Sequence, residues 1–413
     1  MIEPDAPVVV VGAGQAGSQC AISLREGGHR GPVTLVGDER WLPYQRPPLS
    51  KSGDLAHGFE AHDVQLRSPG SYERAGVEPR CGDAVVGIDR DRRRVALATG
   101  DYLDYAHLVL ATGSRPRRLT VPGAGLRGVH YLRTLEDANR LRPLLARSPH
   151  PVVIGGGLIG LEIAAAAAGQ GRPVTVVERA DRVLAPAVSA IVAAHVEHVH
   201  RARGNRLLLG CTVDSLLGNG SGGVGSVLLT DGRELAADLV VVAIGVEPNT
   251  ELAAGAGLQV ANGIVVDHRL RTSDDRVSAI GDCASFPDLA GRPVRLESVQ
   301  NAGDQARFLS TALLGAEGGY RAVPWFWSHQ FELKLQFAGL GQVSDECVVA
   351  GGAPGEAFSV CRFAGDELVR VESVNCPLDH VTARRVLARP CRPGPDEVKR
   401  PGFSLRGARA CGH

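Results

Sequence analysis

The sequence predicts an α/β fold: two parallel-sheet domains, one inserted in the other, followed by an α+β domain. Three observations lead there. A strand, glycine turn, helix, strand and terminal acid run through residues 7–39, and the same order recurs at 151–178. Two more apolar strands end in small residues, LVLATGSRPR at 108–117 and RVSAIGDCASFP at 276–287. From about residue 323 the texture changes to aromatic-rich, alternating runs. A chain of 413 residues is too long for one ordinary core, which sets the expectation of two or three domains.

The first unit reads PVVVVGAGQAGSQCAISLREGGHRGPVTLVGDE. A β-branched run leads into Gly12, Gly14, Ala16 and Gly17. A helix with Ala21 and Leu24 on one face follows, Gly27-Gly28 ends it, and PVTLVGDE is the second strand. The second unit reads PVVIGGGLIGLEIAAAAAGQGRPVTVVE, with Gly155, Gly157 and Gly160 in the turn and Glu178 closing the strand. In a G-x-G-x-x-G turn the first glycine permits the tight turn. The second lets backbone approach a pyrophosphate, and the third lets helix pack on strand. The helix N-terminus adds free N–H donors and a partial positive charge. A terminal acid accepts hydrogen bonds from ribose hydroxyls; Asp38 or Glu39 is placed to do so in the first unit and Glu178 in the second. One glycine triplet is weak evidence, but two complete Rossmann-like units with acids indicate two dinucleotides. The first unit, coupled to the distant Gly281-Asp282, suits FAD; the second suits a nicotinamide cofactor. Glu178 favours NADH over NADPH, because a carboxylate repels a 2′-phosphate, although Arg179 and Arg182 stand close enough to soften the preference.

Between the units, LPYQRPPLSK at 42–51 cannot be a helix or strand interior, since Pro47-Pro48 removes donors and crowds the chain. It carries two cations, Arg46 and Lys51. Only three of the 45 basic residues are lysine, namely Lys51, Lys334 and Lys399, so a lysine here stands out. The strand LVVVAIGVEPNT at 239–250, with Gly245, resembles 108–117 with Thr112-Gly113. After PWFWSHQ (324–330) come strand-like runs at 347–350, 358–363 and 368–374, a helix near 377–388, and a Pro- and Arg-rich tail expected to be loosely ordered.

Composition narrows the function classes. Formal net charge is zero, which argues against general nucleic-acid binding or electrostatic membrane anchoring. No apolar run is long enough for a transmembrane helix, and no secretory leader is seen. Nine scattered cysteines form no C-x-x-C or C-x₄-C pair, as expected of a reduced, cytoplasmic chain in which Cys20 is a core residue. No metal site is expected.

The glycine turns, PYQRPPLSK, LATGSRPR, YLRTLEDA (131–138), GGGLIGLE (155–162), AIGDCA (279–284), ESVQNAGDQA (297–306) and PWFWSHQ together resemble one family. It is the NAD(P)H-dependent ferredoxin reductases of putidaredoxin-reductase and biphenyl-dioxygenase-reductase type, within the flavin disulfide-reductase superfamily. The resemblance runs to about residue 390. It implies FAD contacts at Ala16, Asp38, Lys51, Val85, Arg133, Asp282 and Val299, with Arg46, Thr112, Gly113 and Gly281 also in the FAD set. It implies that Lys51 lies by the flavin N5 edge and pairs with Glu162 near the nicotinamide. A compact ammonium on a flexible stem suits that place better than a planar guanidinium. Leu158, Ile159 and Gly245 join the NAD set, and Trp327 is expected against the isoalloxazine. True disulfide reductases carry C-x₄-C after the first helix; this chain has no cysteine there, so no dithiol relay is expected. His329 stands where the family usually has Asp.

The resulting expectation is an FAD-binding domain at 1–114 and 247–322, an NAD-binding domain at 115–246, and an α+β domain at 323–413 covering the flavin. Hydride would pass from NADH to FAD, then single electrons to an iron–sulfur ferredoxin serving an oxygenase. Arg67 and Arg307 are candidates for docking an acidic ferredoxin. An apoptosis-inducing-factor-like redox switch and an NADH oxidase are the alternatives.

Overall fold

A computed structural model describes residues 1–51, 55, 57–288, 290–342, 344–351 and 355–407. The chain divides into two compact units. One comprises Met1–Gln45, Glu60–Arg115 and Val246–Ala322; the other comprises Arg46–Phe59, Pro116–Gly245 and Val323–His413.

The first unit is built on a five-stranded parallel sheet. Its order is Val277–Ala279, His107–Leu110, Val8–Val11, Val33–Gly37 and Val77–Cys81. The central strands are buried along their whole length, which is why they read as unbroken apolar runs. Val8–Val11 pairs with an earlier strand on neither side: Val33–Gly37 lies on one edge and His107–Leu110 on the other. The chain therefore reverses direction across the sheet at this strand, which opens a crevice beyond its carboxyl end. Helix Gln15–Glu26 leaves from that end and packs on helix Val299–Leu313, where the Ser310 hydroxyl donates to the Cys20 carbonyl at 3.2 Å. Cys20 is fully buried, and burial pushes its thiol up to about 12.

The second unit repeats this plan. Its parallel sheet runs Arg206–Leu208, Thr175–Val177, Pro151–Ile154, Leu239–Val242 and Val129–Tyr131. Helix Leu158–Ala168 follows the central strand; it is apolar on every face and buried from Gly160 to Ala167, with Glu162 its one charged residue. The same unit contains a five-stranded antiparallel sheet ordered Trp325–Gln330, Leu333–Gly339, Glu367–Val374, Phe358–Ala364 and Glu346–Val349, with helix Pro377–Leu387 against it.

A buried ion cluster holds this sheet to the segment before helix Ala190–Ala202. Glu372, fully buried, pairs with Arg362 at 3.1 Å and Arg370 at 3.2 Å, and its other oxygen accepts the Ser189 N–H at 2.8 Å. Arg370 also lies over the Phe326 and Phe337 rings, and burial lowers its guanidinium to about 10. Removing one partner from such a cluster leaves two buried cations undercompensated. Glu372→Gln is expected to cost about 3 kcal/mol of stability, read as a drop in thermal midpoint.

Two expectations fail here. The tail is not loose up to residue 407: a short helix Pro395–Val398 and a turn at Leu405–Gly407 bury Val398 and Leu405 in the C-terminal core. Two apolar side chains spaced along a Pro-rich segment suffice to pin it, and composition alone hid them. Nor is every cysteine reduced. Seven carry free thiols among the described residues, but Cys391 is disulfide-bonded. No helix of the described residues is long and apolar enough to cross a membrane.

Candidate functional site

The two glycine turns have the same shape. Gly12 and Gly155 both adopt φ of +112°, and a Cβ on either would fall within 2.1 and 2.3 Å of the carbonyl oxygens of Ala111 and Ala243. Gly17 and Gly160 are equally constrained: a Cβ would sit 1.9 and 2.1 Å from the Gly12 and Gly155 oxygens, so only glycine lets each helix pack on its strand. Gly14 and Gly157 differ from these. A Cβ there would meet no protein atom within 4 Å, and each is the N-cap of its helix without a side-chain cap. Both helices thus present bare N–H groups to open space, a cradle suited to a pyrophosphate.

In the first unit the crevice gathers loops that are far apart in sequence. Gly281 and Asp282 form a single turn just past strand Val277–Ala279. The Gly281 N–H donates to Gln305 Oε1 at 2.7 Å, and the Ser114 hydroxyl donates to Asp282 Oδ2 at 2.8 Å. Gln305 is fully buried, yet its Nε2 has no hydrogen-bond partner among the described residues. A buried amide nitrogen left open in this way fits a site completed by a bound group. Thr112 and Gly113 are locked to Asn249: the Thr112 hydroxyl donates to the Asn249 carbonyl at 2.7 Å and Asn249 returns a bond to the Thr112 carbonyl at 2.8 Å. Thr112 therefore braces the loop with its hydroxyl. Of the two acids, Asp38 is exposed, whereas Glu39 is half-buried and accepts a hydrogen bond from the Tyr44 hydroxyl. Val85 is half-buried on strand Val85–Asp89, and Val299 begins helix Val299–Leu313, capped by Ser298. Arg67 bonds to Gln19, and the exposed Arg307 pairs with Asp304 at 2.9 Å.

In the second unit the segment after Arg46 forms a 3₁₀ turn, Pro47–Ser50, with proline at its start as the fixed φ of proline favours. Arg46 donates to the Arg133 carbonyl at 2.7 Å. The turn delivers Lys51 to Glu162. Its Nζ lies 3.1 Å from Glu162 Oε1 and 3.3 Å from the Pro47 carbonyl. The Glu162 side chain is 2% exposed and that of Lys51 18%. The carboxylate is further held by two hydroxyls, Ser328 donating to Oε1 at 2.6 Å and Ser50 to Oε2. A buried carboxylate thus has three donors, one of them cationic. Strand Trp325–Gln330 alternates here: Ser328 and Gln330 are buried, and His329 between them is exposed. Partial burial and then the Lys51 charge hold His329 below the usual imidazole range, with Glu162 opposing. Trp327 is half-buried beside Trp325, ring centroids 5.7 Å apart.

At the second glycine turn, both Glu178 oxygens are engaged. Oε2 accepts the Gly156 N–H at 2.6 Å and Oε1 the Ala180 N–H at 2.7 Å. A carboxylate has about four lone-pair sites, so two remain for a ribose. Leu158 is half-buried, Ile159 is 45% exposed at the start of the helix, and Gly245 turns with φ of +96° beside Arg117. Among the described residues no cluster of three or more His, Cys, Asp or Glu is arranged to hold a metal ion.

Sequence reasoning missed Ser50, Ser328, Gln330, Gln305 and Asn249. Serine and amide residues carry no motif signal of their own; ESVQNAGDQA and PWFWSHQ contain three of the five without marking which ones are buried.

Two nucleotide cradles and a buried lysine–carboxylate pair define a nucleotide-dependent oxidoreductase. The chain belongs to the pyridine nucleotide-disulphide oxidoreductase family, whose model matches residues 6–306, and a Reductase C-terminal model matches 325–409. It is 47% identical over 401 residues to rhodocoxin reductase of Rhodococcus erythropolis, covering 97% of this chain and 93% of that one. The solved ferredoxin reductase for the CYP199A2 system of Rhodopseudomonas palustris superposes with a TM-score of 0.93 at 42% identity, covering 97% and 99%. The covalent putidaredoxin reductase–putidaredoxin complex gives 0.92 at 40% identity, covering 97% of each chain. The family implies FAD and NAD(P)H, and the open helix starts, the orphaned Gln305 amide and the glycine-only turns fit such groups.

Proposed function

We propose that this chain is an FAD-dependent NADH:ferredoxin reductase of the cytoplasm, feeding an iron–sulfur ferredoxin that serves an oxygenase. The observation that carries this reading is the likeness, over 97% of the chain, to a ferredoxin reductase and to a reductase solved covalently with putidaredoxin. The seven free thiols speak for a reducing location, with the disulfide-bonded Cys391 standing against it. When bound, FAD supplies a two-electron acceptor for the nicotinamide hydride and a one-electron donor to the ferredoxin.

The chain supplies binding, orientation and charge. In the first unit Gly12, Gly14, Ala16 and Gly17 would cradle the FAD pyrophosphate, Asp38 or Glu39 would take its ribose, and Asp282 with Val299 would hold the rest of the chain. In the second unit Gly155, Gly157 and Gly160 would receive the NADH pyrophosphate, Glu178 its adenosine ribose, and Ile159 and Glu162 its nicotinamide end. Arg46, Arg133, Lys51 and Trp327 are assigned to the flavin ring. The proposed domains are FAD-binding at 1–114 and 247–322, NAD-binding at 115–246 and C-terminal at 323–413. Arg67 and Arg307 are proposed to meet an acidic ferredoxin.

Stopped-flow bleaching of the flavin by NADH and by NADPH, followed by added ferredoxin, tests the reading. Fast bleaching with NADH and fast reoxidation by ferredoxin are expected. A long-lived reduced complex indifferent to ferredoxin would overturn it.

A further inference from the structure

Glu162 is the first member of a longer buried chain. Ser328 Oγ, which donates to Glu162 Oε1, accepts from Gln330 Nε2 at 3.1 Å. Gln330 Oε1 lies 3.0 Å from His200 Nε2, and His200 Nδ1 lies 3.1 Å from Asn205 Nδ2. Asn205 Oδ1 accepts the Val174 N–H at 2.9 Å, and its Nδ2 also reaches the Ala164 carbonyl at 3.3 Å. Ser328, Gln330 and His200 are wholly buried and Asn205 is 3% exposed.

The direction of this chain is fixed from both ends. A carboxylate oxygen only accepts, so the single Ser328 proton is spent on Glu162, and Gln330 must face Ser328 with its amide nitrogen. Its carbonyl then faces His200, which must carry its proton on Nε2. At the far end a backbone N–H only donates, so Asn205 meets Val174 with its oxygen and His200 with its nitrogen. Both ends require the same His200 tautomer, neutral with Nδ1 accepting. Burial agrees, holding His200 down at about 4. From Val174 to Ser328 each link donates toward Glu162, the second Asn205 amide proton alone going aside to the Ala164 carbonyl, and donors in series polarise one another.

We propose that Ser328, Gln330, His200 and Asn205 form a one-way hydrogen-bond relay whose work is to position the Glu162 carboxylate toward Lys51. They are positioning residues, anchored on helix Ala190–Ala202, its following loop and strand Trp325–Gln330. This rests on the reading of Glu162 as a carboxylate at the nicotinamide end.

The test uses the FAD-loaded protein with ¹⁵N-labelled histidine. Near neutral pH the His200 imidazole should be neutral with its proton on Nε2; a protonated ring or the opposite tautomer overturns the relay. Ser328→Ala and Gln330→Leu should slow flavin reduction at saturating NADH by roughly 3- to 10-fold, the scale of one buried hydrogen bond, with little change in NADH affinity. Ser328→Thr, which keeps the hydroxyl, should restore the rate. Wild-type rates in Ser328→Ala and Gln330→Leu, with Glu162→Gln slow, overturn the relay. A wild-type rate in Glu162→Gln would instead overturn the reading of Glu162, and the imidazole signal would still decide the relay.

Discussion

Lys51→Met is expected to keep FAD bound and to slow reduction of the flavin by NADH about 100-fold. The retained cofactor follows from where its other candidate contacts lie: the Gly12–Gly17 turn, Asp282 and Val299 do not depend on Lys51. The slower step follows from Glu162. Its carboxylate is almost wholly enclosed, and Lys51 at 3.1 Å is the cation that the structure places on it. Without that cation a buried negative charge is left with two serine hydroxyls, on a helix whose other residues are Leu, Ile, Ala and Gly. Breaking a buried pair from one side costs about 3 kcal/mol, and a carboxylate so disturbed no longer holds one geometry. Lys51→Arg should rescue poorly, because the fork needs room that a point charge bonded to the Pro47 carbonyl does not. Lys51→Met combined with Glu162→Gln should be no slower than either alone if the two act as a unit. Stopped-flow reduction at saturating NADH decides the matter; a wild-type rate in Lys51→Met removes Lys51 from hydride delivery.

What could be read from the sequence, and what could not, divides along the same residues. The glycine turns were legible because a backbone at φ of +112°, with a carbonyl about 2 Å from any Cβ, leaves one residue type available. Local geometry there is written in local sequence. Lys51 was legible as a lysine in an arginine-rich chain, and Glu162 through the likeness of GGGLIGLE to the family pattern. Their serine partners were not, since Ser50 and Ser328 reach Glu162 from 112 and 166 residues away. The ion cluster around Glu372 was hidden for another reason. Strand Phe358–Ala364 is buried at six successive positions, so no alternation of polar and apolar residues marks Arg362 as inward. His329 drew notice as a departure from the family pattern, but the strand turns it outward and gives the inward places to its neighbours Ser328 and Gln330.

Glu178→Ala is expected to move the ratio of kcat/KM for NADPH over NADH upward by about 100-fold. Three parts of the geometry bear on this. The carboxylate is bonded to backbone on both oxygens, so it cannot swing away from a 2′-phosphate. Two of its lone pairs stay available for the ribose hydroxyls of NADH, and alanine forfeits them. Arg179 is exposed and Arg182 bonds to the Val188 carbonyl at 3.4 Å, so two cations stand near in sequence to receive a phosphate once the repelling charge has gone. Alanine also leaves the Gly156 N–H without its acceptor, and NADH binding should weaken for that reason alone. Glu178→Gln separates the two effects: its carbonyl oxygen can keep one backbone N–H while the charge is lost. A ratio that shifts as far in Glu178→Gln as in Glu178→Ala assigns the discrimination to charge. A shift in Glu178→Ala alone assigns it to the scaffold that the carboxylate ties together. If neither variant moves the ratio, Glu178 closes the Gly156 turn and leaves the ribose unread.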